Sequence, residues 1–474
     1  MKKVLLFLIL AGIFSACYKD FDELNTDIKN PSSVPPVMLF TGAQRQMADA
    51  ITNTNVNINI FRLLSQYWTE TTYIDESNYD LGTRSIPQNF WNIVYVDVLN
   101  PLKKAGELIP DQAGVLPEVL KNQSASVEIM TVYAYSVLVN TYGDIPYSEA
   151  MDINNVHPAY DDDATIVNDL IARLDAAIGN IDAGADGFGG GDVLFGGDMG
   201  RWVTFANSLK LRLGMLIADA DSGKAAAAVE SGAAGAVGSN GDNIVFAYES
   251  SAPNTNPVWV DLIQSGRQDF VAANTLVDKM VGLGDPRVPY YFTTDAGGGY
   301  SGGIYGSNNN FATYSKPNDA LQAPDYGSIL FDYAETEFLL AEAVERGMNV
   351  GGTAAEHYAN AIRASIENWG GSSADADAYL ALPAVAYATA EGDWKQKIGT
   401  QKWIALYNRG FDAWTEWRRL DHPVLVAPIE AVTDIPVRYT YPVQEQNLNA
   451  ASWEAASSAI GGDAVTTKLF WDKF

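Results

Sequence analysis

The chain has 474 residues, 47% hydrophobic and 11% aromatic, which excludes disorder over most of its length and provides for a sizeable core. Its 58 acidic residues outnumber 30 basic ones, and the net charge of −28 makes nucleic acid and anionic lipid headgroups poor partners. A single cysteine excludes a disulfide framework and a cysteine-ligated metal.

Lys2 and Lys3 precede an unbroken apolar run, Val4 to Phe14, followed by the small residues Ser15 and Ala16. A basic n-region, a short h-region and a small-residue cleavage site read as a secretory signal over residues 1–16. The apolar run is too short to span a bilayer as a helix. Cys17 resembles the acylated cysteine of a bacterial lipobox, with Phe14 where leucine is usual. Ordinary secretion with cleavage near Cys17 is the plainer alternative. Loss of residues 1–16 removes two lysines and no acid, leaving 28 basic and 58 acidic residues and a net charge of −30. The next residues, Tyr18-Lys19-Asp20-Phe21-Asp22-Glu23, are similar to the signal that sends Bacteroidetes lipoproteins to the outer face of the outer membrane. A solvated acidic tether is the alternative reading. Residues 17–36, ending Asn30-Pro31-Ser32-Ser33-Val34-Pro35-Pro36, form a tether that cannot be helical.

From residue 37 helical periodicity dominates, predicting helices near 37–50, 57–70, 88–108, 123–141, 163–179, 201–218, 333–346 and 401–420. In 201–218, Trp202, Phe205, Leu209, Leu213 and Leu216–Ile217 recur three or four apart and make one buried stripe. Ile244 to Tyr248 is a possible short strand. The fold class is mainly α. Helices 333–346 and 353–369, with Phe338, Ala341, Ala354, Tyr358, Ala361 and Ile362 between them, resemble one tetratricopeptide unit. No clean 34-residue period recurs elsewhere. Two stretches, Gly/Asp-rich 181–200 and Gly/Asn/Ser/Tyr-rich 293–327, have no helical period, and loops of that length inside a domain are usually functional or disordered.

Five segments carry a family resemblance: YGDIPYSEA at 142–150, RWVTFANSLKLRLGM at 201–215, DPRVPYYF at 285–292, QKWIALYNRGFDAWTEWRRL at 401–420 and IPVRYTYPVQEQNLN at 435–449. In this order, behind a lipoprotein-type signal, they are similar to the SusD/RagB family of nutrient-binding outer-membrane lipoproteins, in its SusD-like branch. Their physics is mostly that of a scaffold. Gly143-Asp144-Ile145-Pro146 ends a helix. Asn207 and Ser208 satisfy backbone groups, Arg418 and Arg419 favour the negative end of a helix dipole, and Arg438 and Glu445 are expected to pair.

The resemblance implies a tetratricopeptide-like α-α superhelix packed against an irregular, loop-rich half that includes about 235–330. Residues 37–474 would form one domain. It also implies a cell-surface protein, lipid-anchored in the outer membrane, that captures an oligosaccharide, or a peptide, for a SusC-type TonB-dependent transporter.

Sugar binding needs flat aromatic faces for pyranose rings, with amides and charged groups for hydroxyls. The candidates are therefore loop aromatics: Tyr73 and Tyr79 before the helix near Asn89, and Tyr300, Tyr305, Tyr314 and Tyr326 in the second long loop. Asn308, Asn309, Asn310 and Asp325 are candidate hydrogen-bonding partners. The competing reading is that each tyrosine fastens a loop to the scaffold. Trp68, Trp91, Trp202, Trp403, Trp414 and Trp417 belong to helical stripes and hence to the core. Asp186, Asp192, Asp198 and Asp161–Asp163 offer oxygens for a structural calcium, but no EF-hand spacing supports one and no cofactor is expected. His157, His357 and His422 form no metal motif, and neither a nucleophile elbow nor a phosphate loop is present, so the chain is not expected to be an enzyme. A pure protein-interaction scaffold is the remaining alternative.

Overall fold

The structure is a computed structural model that describes residues 34–474, so Cys17, the signal segment and most of the tether lie outside the described residues. Its helices include α1 (Pro36–Thr52), α2 (Ile86–Asn92), α3 (Asn100–Leu108), α4 (Pro117–Tyr142), α5 (Asp163–Asn180), α6 (Met199–Leu216), α7 (Ser222–Ala233), α8 (Tyr333–Glu345), α9 (Ala354–Asn368), α10 (Trp394–Ala405) and α11 (Gly410–Leu420). A π-helical stretch, Ile93–Leu99, joins α2 to α3.

Many of the acidic residues start helices. Asp162, Asp198, Asp221, Asp332 and Asp393 each accept a hydrogen bond from the third residue of α5, α6, α7, α8 and α10 respectively, satisfying an N–H the helix leaves open. Successive helices then pack as antiparallel pairs, α4 with α5, α6 with α7, and α8 with α9. The α8–α9 pair is the tetratricopeptide-like unit the sequence suggests. Phe338, Ala341, Tyr358, Ala361 and Ile362 are its buried seam, in a small core separate from the main one. Asn207 and Ser208 do bond the backbone of their own helix, at Val203 and Thr204.

Two predicted helices are broken. Residues 57–70 give only the short helix Phe61–Leu64, because Gln66 turns left-handed (φ 54°) and the chain continues as strand β1 (Trp68–Glu70). Residues 401–420 are split between α10 and α11, with Asn408 left-handed (φ 68°) at the break. Here Gly410 lets two backbones meet: a Cβ on it would lie 2.5 Å from the Arg62 nitrogen. Gly143 closes α4 at φ 86°.

The remaining strands are β2 (Ile244–Phe246), β3 (Phe270–Ala272) and β4 (Ser328–Phe331). β1 pairs antiparallel with β3, Thr69 opposite Val271, and β2 with β4. These two ribbons anchor the loop-rich half. No helix among the described residues is long and apolar enough to cross a membrane.

Buried cations hold the family-like segments in place, and three of them act differently from expectation. Arg438 pairs with Asp463, not Glu445, whose carboxylate accepts from the Tyr160 hydroxyl. Arg418 and Arg419 do more than favour a dipole: both are buried, Arg418 against the Trp414 ring at 3.5 Å and Arg419 paired with Glu342 and Glu416.

Candidate functional site

Three loops converge beside the β1–β3 ribbon. Beyond β1, the Thr71 N–H donates to the Asp269 carbonyl (2.8 Å) and its hydroxyl to the Gln268 carbonyl (2.7 Å), which sets loop 71–85 against segment 263–269. The third loop is clamped by Asn309, whose backbone donates to the Thr71 carbonyl (3.0 Å) and whose side-chain amide donates to the carbonyls of Glu70 (3.1 Å) and Ile304 (3.0 Å). Loop 66–85 carries an unusual density of strained backbone: Gln66, Tyr73, Tyr79 and Ser85 all have positive φ. Such conformations cost free energy and gather where the surroundings fix a side chain for use.

Tyr73 is the side chain this arrangement presents. It is 75% exposed, with φ 55°, two residues beyond the Thr71 that ties loop 71–85 to segment 263–269. The other predicted residues divide. Tyr79 (2% exposed) and Tyr305 (7%) are buried with rings 6.3 Å apart, and neither offers a face to solvent. The Tyr305 hydroxyl donates to the Leu63 carbonyl (2.7 Å), and Gln66 donates to the Tyr79 hydroxyl. These two fasten loops, as the competing reading has it. Tyr300 and Tyr326 are half-buried against the main core, and Asp325 is exposed and, like Tyr73, lines neither of the two cavities on segment 262–269. Tyr314 is half-buried, and its carbonyl helps hold Lys316. Asn309 is structural, while Asn308 and Asn310 are exposed. Trp68, Trp91, Trp202, Trp403 and Trp414 are core residues, and Trp417 is half-buried.

The end of β1 and loop 71–85 bury a carboxyl pair. Glu70 and Glu76 are 3% and 0% exposed. The Ser77 N–H (2.9 Å) and hydroxyl (2.8 Å) donate to Glu70, and Arg84 pairs with Glu76. Burial, followed by the neighbouring Glu76, pushes the Glu70 carboxyl up to about 9, so Glu70 holds its proton at neutral pH.

Segment 262–269 separates two open cavities. One, of about 250 Å³, is lined by Gln268, Phe270, Phe311 and Lys316 among others. The other, about 330 Å³, is lined by residues that include Asn55, Asn57, Arg84, Asp261 and Ser265. Leu262, Arg267 and Asp269 belong to both. Despite the acidity of the whole chain, the second cavity is charge-balanced, with Arg84 and Arg267 against Asp261 and Asp269, and Lys316 leaves the first with one extra positive charge. Sequence reasoning misses Phe311, Lys316 and Arg267. Phe311 lies in the second long loop, and its flat ring is a signal of the same kind as the tyrosines around it.

The carboxylates considered for calcium are largely occupied. Asp192 is buried and accepts from the Trp202 indole (2.7 Å) and from the backbone of Leu194, Phe195 and Gly197, which folds the Gly-rich loop around it. Asp198 and Asp162 cap helices. Carboxylate oxygens of Asp144, Asp162 and Asp163 do lie within 4.8 Å of one another. Burial, then mutual repulsion, raises Asp163 to about 7, and burial raises Asp144 to about 6.

Known proteins resolve the fold. The model of a SusD-like family described as starch-binding and associating with the outer membrane matches residues 28–442. Among solved structures, a chitin-binding protein is 26% identical, with a TM-score of 0.80 over 93% of this chain and 100% of its own. A chitin-binding SusD homologue from Flavobacterium johnsoniae is 26% identical (TM-score 0.77, 92% and 98% coverage). A SusD homologue from Bacteroides uniformis is 25% identical (TM-score 0.79, 92% and 99% coverage). No curated protein matches. With a family match running from the tether into the last family-like segment, and helical pairs and loops superposing on SusD homologues over nearly the whole chain, this protein belongs to the SusD-like family of outer-membrane-associated carbohydrate-binding proteins.

Proposed function

We propose that the protein is a cell-surface lipoprotein, anchored to the outer membrane through Cys17, that captures a neutral oligosaccharide on the face around Tyr73. It hands that ligand to a SusC-type TonB-dependent transporter and performs no chemistry on it. One observation carries the choice of ligand: an exposed aromatic ring lies two residues from Thr71, which bonds Gln268 and Asp269 in a cavity wall, and the two cavities along that segment lack the acidic excess of the rest of the chain. A pyranose needs an apolar ring face and neutral hydrogen-bonding groups, which these loops supply. A site for basic peptides would concentrate carboxylates, and these cavities do not. The starch-binding description of the family and two chitin-binding neighbours point to the same ligand class.

Calorimetric titration of protein beginning after Cys17, with malto- and chito-oligosaccharides, tests this reading. Saturable heat is expected, and Tyr73→Ala should abolish it with the melting temperature unchanged. Tyr305→Ala should lower the melting temperature, because that ring is internal. Heat with basic peptides and none with any glycan would overturn the choice of ligand.

A further inference from the structure

The two cavities flank one ridge, and neither is large. Pockets that enclose a whole ligand start at about 300 Å³. One cavity here falls below that, at about 250 Å³, and the other just passes it, at about 330 Å³. The ridge between them is a run of exposed residues, 263–268, rising from the π-helical turn Val260–Gln264, with Gly266 left-handed at φ 71°. Single π-helical turns are often found at functional sites. The ridge is braced from within: the Ser265 hydroxyl donates to the Asp261 carbonyl, the Arg267 N–H donates to the Ser265 hydroxyl (3.2 Å), and the Arg267 guanidinium pairs with Asp269.

We propose that the cavity beyond the Arg267–Asp269 ridge, lined by Asn55, Asn57, Arg84 and Asp261, is a second subsite for the same neutral glycan chain. The ligand is then an oligosaccharide long enough to cross the ridge. This rests on the carbohydrate reading above. The chemistry of the wall supports it. Arg84 commits only Nε to Glu76, and Arg267 only Nε to Asp269, so their terminal nitrogens have no partner among the described residues and can donate to hydroxyls. Asp261 accepts from the Thr54 N–H (2.9 Å) and hydroxyl (3.0 Å) through one oxygen, and its other oxygen is free to accept. The Asn57 amide nitrogen donates to Asn55 (2.7 Å), leaving the amide oxygen as a further acceptor. Each arginine already faces a carboxylate, so the wall holds no uncompensated positive charge to attract an acidic ligand. Val56 and Val260 supply an apolar patch among these groups.

A chain-length series tests the proposal, using calorimetry with oligomers from two to eight units of whichever glycan binds. Wild-type affinity is expected to rise about tenfold or more once the chain crosses the ridge, the scale of one or two added hydrogen bonds. Asn57→Ala should weaken that rise, and Asn57→Trp, which fills the cavity, should abolish it. Both should leave affinity for the shortest binding oligomer unchanged. Asn57 is exposed, so both variants should melt with wild type, and Asn57→Ala serves alone if the tryptophan disturbs folding. A flat series in wild type, or equal loss for short and long oligomers, would overturn the second subsite while leaving the Tyr73 site standing. Absence of binding at every length would remove the carbohydrate reading, and the subsite with it.

Discussion

At the scale of single residues, the proposed binding face depends on groups that never touch solvent. Glu70, at the end of β1, and Glu76, within the loop that presents Tyr73, are both buried, and the proton that burial holds on Glu70 lowers the charge placed there. Arg84 pairs with Glu76, and the Tyr305 hydroxyl is the next ionisable group on the loop packed against them. Because the folded state raises Glu70 from 4.5 to about 9, it favours the protonated form, and this contribution to stability is lost as pH rises through that window. Glu70→Gln keeps the shape and cannot ionise. Its melting temperature should exceed that of wild type by a margin that widens from pH 5 to pH 9, and differential scanning calorimetry would show this. A margin that stays constant with pH would mean that Glu70 is already ionised in the fold. Sequence alone could select Tyr73 and the loop around it, since ring chemistry and loop composition are local. It could not separate Tyr73 from Tyr79, six residues on, because burial of Tyr79 is decided by Gln66 and Tyr305, which contact it only in the folded chain.

At the scale of elements, hydrophobic period located most helices to within a few residues and failed where backbones touch. Residues 401–420 keep an apolar stripe throughout, so nothing in their spacing marks the break at 406–409. The break exists because the N-terminus of α11 lies against the Phe61–Arg62 backbone, an approach that only a residue without Cβ permits. Gly410→Ala would place that carbon 2.5 Å from the Arg62 nitrogen and 2.7 Å from the Phe61 carbonyl carbon, so it should destabilise by at least ~1–3 kcal/mol. A Cβ added to Gly42, inside α1, would meet no atom within 4 Å, and Gly42→Ala should stabilise by ~0.5–1 kcal/mol through helix propensity. Urea denaturation of the two variants should therefore move the midpoint in opposite directions. A Gly410→Ala midpoint equal to wild type would show that the contact relaxes freely.

At the scale of the whole molecule, the helical half and the loop half are joined by buried charge rather than by apolar packing alone. Glu335, at the start of α8, bonds Arg212 of α6 (2.7 and 2.8 Å) and Arg409 before α11. Asp412 and Asp332 complete the cluster, at 2.8 and 3.2 Å from Arg409. Both arginines also donate to the Leu330 carbonyl of β4, so the same guanidinium groups hold helices and a strand of the loop half. The family-like segments could be recognised in the sequence, yet this use of their charges could not, because Arg212, Glu335 and Arg409 are far apart along the chain and meet only in the fold. Burial alone would push Glu335 up, but Arg212 and Arg409 outweigh it and hold the carboxyl near 2. A carboxyl held below its unfolded value contributes stability that is present above pH about 4.5 and is lost as pH falls toward 2. This runs opposite to the Glu70 effect, so the two together place their combined maximum near pH 4.5. Glu335→Ala strands two buried cations, and breaking a buried pair in this way costs ~3–5 kcal/mol. The variant should unfold at markedly lower temperature at pH 7, with helix circular dichroism and tyrosine fluorescence changing together, because the cluster belongs to both halves. It should also lose much of the stability difference that wild type shows between pH 5 and pH 3. Two separate transitions in the variant, or a melting temperature equal to wild type, would mean that the halves are held together by packing and that the cluster is incidental.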